Sequence, residues 1–177
     1  MINRVDGRLK IAVVDADDDA QLAAALIDHA HIDACAAHGV EKNMMNSEVG
    51  FGRKVLQVLE DHGVSFEHMP TGIDSMCVVV KSESLEPHRV EILREIEQLV
   101  ADNGSVSVSD NMSIIATVGR GMVHNCGTAA RLFSAMSRAR INVRMIDQGS
   151  SELSIIVGVN DSDFEATIHA IYHEFVG

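Results

Sequence analysis

The chain repeats itself. Gly127 lies 77 residues after Gly50, and the pattern around the first glycine returns around the second. The first copy reads Gly50, the helical run Val55-Leu56-Gln57-Val58-Leu59, the extended run Val64-Ser65-Phe66-Glu67-His68-Met69, then Gly72. The second reads Gly127, Leu132-Phe133-Ser134-Ala135-Met136, Ile141-Asn142-Val143-Arg144-Met145-Ile146, then Gly149. The same offset pairs Val78 with Ile155 and Val80 with Val157. A register of this length is the mark of two copies of one supersecondary unit. At 177 residues the chain has room for two such small domains and little more.

Each copy can be read element by element. In the second, Met112-Ser113-Ile114-Ile115-Ala116-Thr117-Val118 is a β-branched run typical of a buried strand. Gly119, Gly121 and Gly127 punctuate a loop. From about Thr128 to Arg138, Ala129, Leu132, Phe133 and Met136 then recur at helical spacing. Strands are expected at 141–146 and 153–159. The cluster Asp161-Ser162-Asp163 caps a last helix bearing Phe164, Ile168, Ile171 and Tyr172. The first copy keeps this order: a weak strand at 34–41, a loop at 44–51, a helix at 52–61 with Val55, Leu56 and Leu59 inward, and strands at 64–69 and 75–81. Glu86-Pro87 opens a helix bearing Val90, Leu93, Ile96, Leu99 and Val100, and a short strand at 105–109 closes the unit.

Copy one is therefore β-α-β-β-α-β, an α+β ferredoxin-like order. Copy two lacks its last strand, which leaves a sheet edge open. The run Leu9-Lys10-Ile11-Ala12-Val13-Val14 is a candidate to fill it, and Asp15 to Asp19 would cap a helix from Ala20 to about Ala30. The expected division is an N-terminal segment 1–32, a first domain 33–110 and a second 111–177.

Composition removes several functions. Lys and Arg number 14 against 26 Asp and Glu, a formal charge of -12, so phosphate backbones would repel the chain and nucleic-acid binding is not expected. No apolar run reaches the roughly 20 residues needed to span a bilayer. The start, Met1-Ile2-Asn3-Arg4-Val5-Asp6-Gly7, is not a secretory signal. Cys35, Cys77 and Cys126 show no CxxC spacing, which fits reduced thiols and a cytoplasmic location. Cys77, within Met76-Cys77-Val78-Val79-Val80, is expected in the core.

The segment Met44-Met45-Asn46-Ser47-Glu48-Val49-Gly50-Phe51-Gly52-Arg53 resembles the effector loop of the first ACT domain in bacterial aspartate kinases. Met69-Pro70-Thr71-Gly72-Ile73-Asp74-Ser75 resembles the strand-turn-strand that follows it. Val118-Gly119-Arg120-Gly121-Met122 and Ile146-Asp147-Gln148-Gly149-Ser150-Ser151-Glu152-Leu153 look like the matching parts of the second ACT domain. The resemblance spans about 40–172 and implies two tandem ACT domains. No stretch resembles the large catalytic domain of that family, and no GxxxxGK[ST] or GxGxxG occurs, so no kinase activity is expected from this chain.

The resemblance implies a regulatory region that binds free lysine or threonine, pairs into a homodimer through its ACT domains and serves an aspartate kinase catalytic subunit. It implies effector contacts at Met45, Glu48, Phe51, Gly52, Phe66, Glu67, Gly72, Ile73, Asp74 and Ser75. The residue types suit a zwitterion. A helix starting near Phe51-Gly52 offers backbone N–H groups and a positive dipole end to a carboxylate. Glu48, Glu67 and Asp74 can hold ammonium groups, and lysine carries two of these. In the 77-residue alignment Arg144 faces Glu67 and Asn125 lies near Glu48, so effector binding is expected in the first copy alone.

Other candidates weigh less. His169 and His173 share a helix face but lack a third metal ligand. His29 and His31 share none, and Asp17-Asp18-Asp19 reads as a cap. Ser47, Ser75 and Cys126 have no readable base partner, and the methionines read as core or interface filler. No cofactor is expected. The competing readings are an assembly module that pairs without a ligand and, more remotely, an enzyme in its own right.

Overall fold

Period-two and period-3.6 apolar patterns alternate along the chain, and the backbone follows them. The structure is a computed structural model that describes residues 13–15 and 35–176. In chain order the elements are β1 (Val13–Asp15), β2 (Cys35–Lys42), α1 (Phe51–Asp61), β3 (Phe66–His68), β4 (Ser75–Lys81), α2 (Ser82–Leu85), α3 (Arg89–Val100), β5 (Gly104–Val118), α4 (Thr128–Arg138), β6 (Met145–Asp147), β7 (Ser154–Asn160) and α5 (Phe164–Phe175). They form two compact units, one within 33–111 and one within 112–177 that also takes in β1. The expected helix from 20 to about 30 lies outside the described residues.

In the first unit the strand order is β3-β4-β2-β5. β2 and β4 are antiparallel, with Val40 opposite Met76. One face of this sheet is apolar because every second residue is: Met76, Val78 and Val80 are all buried. α1 covers it with Phe51, Val55, Val58 and Leu59, at i, i+3 and i+4 spacing, and α3 with Ile92, Ile96 and Val100, at i, i+4 spacing. Each fully buried aliphatic side chain contributes about 1.5–3 kcal/mol relative to exposure. The inward face of α3 is rotated from the expected one: Val90 is 75% exposed and Ile92 takes the core position. Cys77 lies half-buried between core neighbours rather than inside the core, and burial pushes its thiol pKa up.

In the second unit the strands run β6-β7-β5-β1. β5 and β7 are antiparallel, with Thr117 opposite Ile155. β1 fills the open edge and runs parallel to β5, Val13 facing Ala116 and Asp15 facing Val118. Leu132 and Met136 of α4 and Phe164, Ile168 and Ile171 of α5 close the core over β7. The expected strands at 105–109 and 112–118 are one continuous strand, β5, whose first part belongs to one unit and whose last part belongs to the other.

The repeat is real but not gapless. Phe51 and Thr128, the helix starts, stand 77 residues apart, yet Ser75 and Ser154, the starts of β4 and β7, stand 79 apart. Val64 N–H donates to the Leu59 carbonyl just as Ile141 N–H donates to that of Met136, so both helices end alike. The second copy then spends two extra residues in the turn of its hairpin, since Pro70 meets Cys77 whereas Asp147 meets Ile156. Met76 therefore corresponds to Ile155, as their strand partners Val40 and Thr117 require. A slip of two keeps every side chain on its original face, so the alternation concealed it. Arg144 lies before that turn and keeps the place of Glu67, 77 residues on.

Candidate functional site

The loop between β2 and α1 is shaped by two left-handed residues. Met44 has φ 59, and Gly50, at the N-terminus of α1, has φ 81. The glycine suits that conformation because it has no Cβ. Between them a single 3-10 turn, Met45–Ser47, anchors Met45 in the core at 6% exposure. Phe51 N–H donates to the Glu48 carbonyl at 3.3 Å, so one of the helix-start donors expected to meet a ligand carboxylate is already engaged.

Glu48 lies at the centre of an ion-pair network. Its Oε2 is 2.5 Å from Lys42 Nζ, and its Oε1 is 2.6 Å from Lys54 Nζ. Hydrogen bonds from Lys42, and then from Lys54, hold its carboxyl below the usual carboxylate range. Lys42 Nζ also donates to the Leu99 carbonyl at 3.1 Å and lies 4.7 Å from the centroid of the Phe51 ring. Met45, Glu48 and Phe51 are thereby drawn together, with Lys42 as the residue that links them. Gly52, one residue on, has little room: a Cβ there would lie 3.0 Å from Met76 Cε.

The hairpin from β3 to β4 carries the other expected residues. Phe66 is 47% exposed on the outer strand, and Glu67 beside it lies 3.7 Å from Lys81 Nζ. Gly72 N–H donates to the Ser75 carbonyl at 2.7 Å and closes the turn, with Ile73 exposed at its tip. Asp74 and Ser75 stand apart from these. They line an open polar groove of about 370 Å³ together with Glu41, Lys42, Asn43, Asn103, Gly104 and Ser105. Lys42 N–H to the Asp74 carbonyl and Asn43 N–H to the Asn103 carbonyl, both 2.9 Å, fix its rim. Among the described residues no ion pair engages Glu41 or Asp74. Gly104 comes so close to β2 that a Cβ would fall 1.9 Å from the Glu41 carbonyl oxygen.

The three acids thus have different fates: Glu48 and Glu67 face lysines of their own chain, whereas Asp74 shares the groove with Glu41. Sequence reading missed Glu41, Lys42, Lys54, Asn43 and Asn103. Lys42 and Lys54 each lie six residues from Glu48, a spacing with no meaning on a helix or strand. Only the loop fold brings them together.

Elsewhere, the rings of His169 and His173 stack at 6.3 Å on α5, and no group of three metal-binding side chains occurs among the described residues. No described helix is long and apolar enough to cross a membrane. In the second unit Gly127, at φ 88, starts α4 as Gly50 starts α1. There Arg131 Nε meets Glu174 at 3.0 Å, and hydrogen bonds from Arg131, then Arg138, hold that carboxyl low.

Comparison with known proteins places this fold. Residues 115–175 match the ACT domain family. Aspartokinase 3 of Bacillus subtilis (strain 168) is 42% identical over 138 residues, which cover 77% of this chain and 30% of that protein. The crystal structure of Clostridium acetobutylicum aspartate kinase superposes with a TM-score of 0.75 at 44% identity, over 80% of this chain and 33% of that one. The regulatory subunit of aspartate kinase from Thermus flavus has the same fold, with a TM-score of 0.65 at 22% identity, over 80% of this chain and 92% of that one. The chain spans about a third of the length of these two full-length kinases, from Bacillus subtilis and Clostridium acetobutylicum. The shared stretch has the fold of a regulatory subunit, and the kinases' catalytic domain lies outside it.

Proposed function

We infer that this chain, an ACT-domain regulatory region similar to those of aspartate kinases, binds a free amino acid in its first unit and so controls an aspartate kinase catalytic part. The effector is lysine, ahead of threonine. The role is feedback control of aspartate-family amino-acid biosynthesis in the cytoplasm. Control of this kind requires the ligand to favour one kinase state, with a coupling of about 1–3 kcal/mol.

The observation that carries this reading is the groove beside Asp74. Two carboxylates with no ion-pair partner among the described residues, Glu41 and Asp74, line a polar cleft together with Asn43 and Asn103. Carboxylates suit ammonium groups, and amide N–H groups suit a carboxylate. Lysine presents two ammonium groups and threonine one, so paired acids favour lysine. Within the set of expected contacts, Asp74 and Ser75 touch the ligand, while Met45, Glu48, Phe51 and Gly52 shape the loop. Phe66, Glu67, Gly72 and Ile73 form the outer hairpin beside it.

Isothermal titration with lysine and with threonine tests the reading. Asp74→Asn is expected to weaken lysine by roughly tenfold, in line with the loss of a charge-assisted hydrogen bond. An unchanged affinity in that variant sinks the groove assignment, and no heat with either amino acid sinks the effector role. A second reading, pairing of two copies without ligand, draws on the outer strands β3 and β6, where Phe66 and Ile146 are 47% and 57% exposed. Light scattering with and without lysine separates the two.

A further inference from the structure

The Lys42 side chain leaves β2 and ends in a pocket of the first unit, only 12% exposed. Three groups from three other segments surround its ammonium. Glu48 Oε2 from the loop lies at 2.5 Å, the Leu99 carbonyl from the last turn of α3 at 3.1 Å, and the Phe51 ring from the first turn of α1 at 4.7 Å to its centroid. A carboxylate, a carbonyl at the negative end of a helix and an aromatic face are the groups that recognise an alkylammonium. The second oxygen of Glu48 is held at 2.6 Å by Lys54, which fixes the carboxylate in place. The occupant is the chain's own lysine, and the same Lys42 lines the groove of Glu41 and Asp74.

We propose that this is an alkylammonium-binding site closed by Lys42, and that Lys42 decides whether the ammonium group of a cationic ligand reaches Glu48. The second half rests on the effector reading above; the first does not. A tethered ammonium competes at a high effective concentration, so a free amine meets an occupied site. Any cationic effector is therefore steered to Asp74 and Glu41 while Lys42 stays in place. An effector contact at Glu48 requires Lys42 to leave.

The test replaces the occupant. Lys42→Ala deletes a segment with the shape of n-propylammonium. Thermal unfolding of the full chain is followed in n-propylammonium chloride against equal sodium chloride. The amine is expected to raise the Tm of Lys42→Ala and leave the wild type unmoved, and adding Glu48→Gln should cancel the gain. Equal shifts in the two proteins, or none in the folded variant, overturn the proposal. If the alanine variant does not fold, Lys42→Met keeps the stem and omits the charge, and ammonium chloride becomes the probe with the same expected and overturning results. Lysine titration then reads the second half: Lys42→Met should bind lysine about tenfold more tightly, because the competing occupied form is gone. Unchanged affinity overturns that half. Absence of heat from both proteins counts against the effector reading, while the Tm shift still decides the site.

Discussion

Single residues carry most of the chemistry of the first unit. Glu48 is ionised against two lysines, and its folded pKa lies below the ordinary 4.5. The stability it contributes is thus fully present above pH 4.5 and lost as pH falls through the lowered folded value. Urea midpoints of the wild type and Glu48→Gln should differ most near neutrality and converge in acid; a gap independent of pH would contradict the network. Gly104 acts by lacking a side chain. An added methyl would meet the Glu41 carbonyl at 1.9 Å, so Gly104→Ala should destabilise by at least about 1–3 kcal/mol, measurable by denaturant unfolding. Neither role was legible beforehand. A glycine facing a neighbouring strand looks like any loop glycine, and the partners of Glu48 lie at distances that no periodic pattern marks.

At the scale of elements much more was readable, because burial writes a period into the chain. α1 and α4 begin within one residue of their expected starts and end where expected, at Asp61 and Arg138. The hairpin strands came out shorter than their apolar runs, three residues in β3 and three in β6, since the run continues past the hydrogen-bonded pairs. The drift of two residues between copies escaped notice for the opposite reason. Alternation cannot distinguish a register from one displaced by two. The inward face of α3 was misread because Val90 is apolar yet exposed. Ile96, at 1% exposure, is the better marker of that face. Ile96→Ala should cost about 2–5 kcal/mol, whereas Val90→Ala should change stability little, both by chemical denaturation. A large loss from Val90→Ala would mean that its face is covered in solution.

For the whole molecule, the division into two units makes ligand effects separable. If the effector binds in the first unit, it stabilises that unit by mass action, about 2.7 kcal/mol at a hundred times its dissociation constant. Hydrogen exchange with saturating lysine should therefore slow within 35–111 and change little within 112–176. Protection confined to the second unit would move the site to the other copy. The family resemblance was visible from the effector loop and the turn at Gly72, both long and specific stretches. The effector was less so, since two of the three acids that suggested lysine turned out to face lysines of the same chain.

The strand β1 has a consequence for the order of events during synthesis. Val13 pairs with Ala116, more than a hundred residues later, so this strand is made long before its partner. The first unit can form completely in that interval, from contacts all within its own stretch. The edge of the second must wait for a long loop to close, a slow and entropically costly step. A nascent chain halted before residue 116 would hold one finished domain and one apolar strand in search of a mate. Such a chain offers a chaperone a reason to bind that early strand rather than the finished domain.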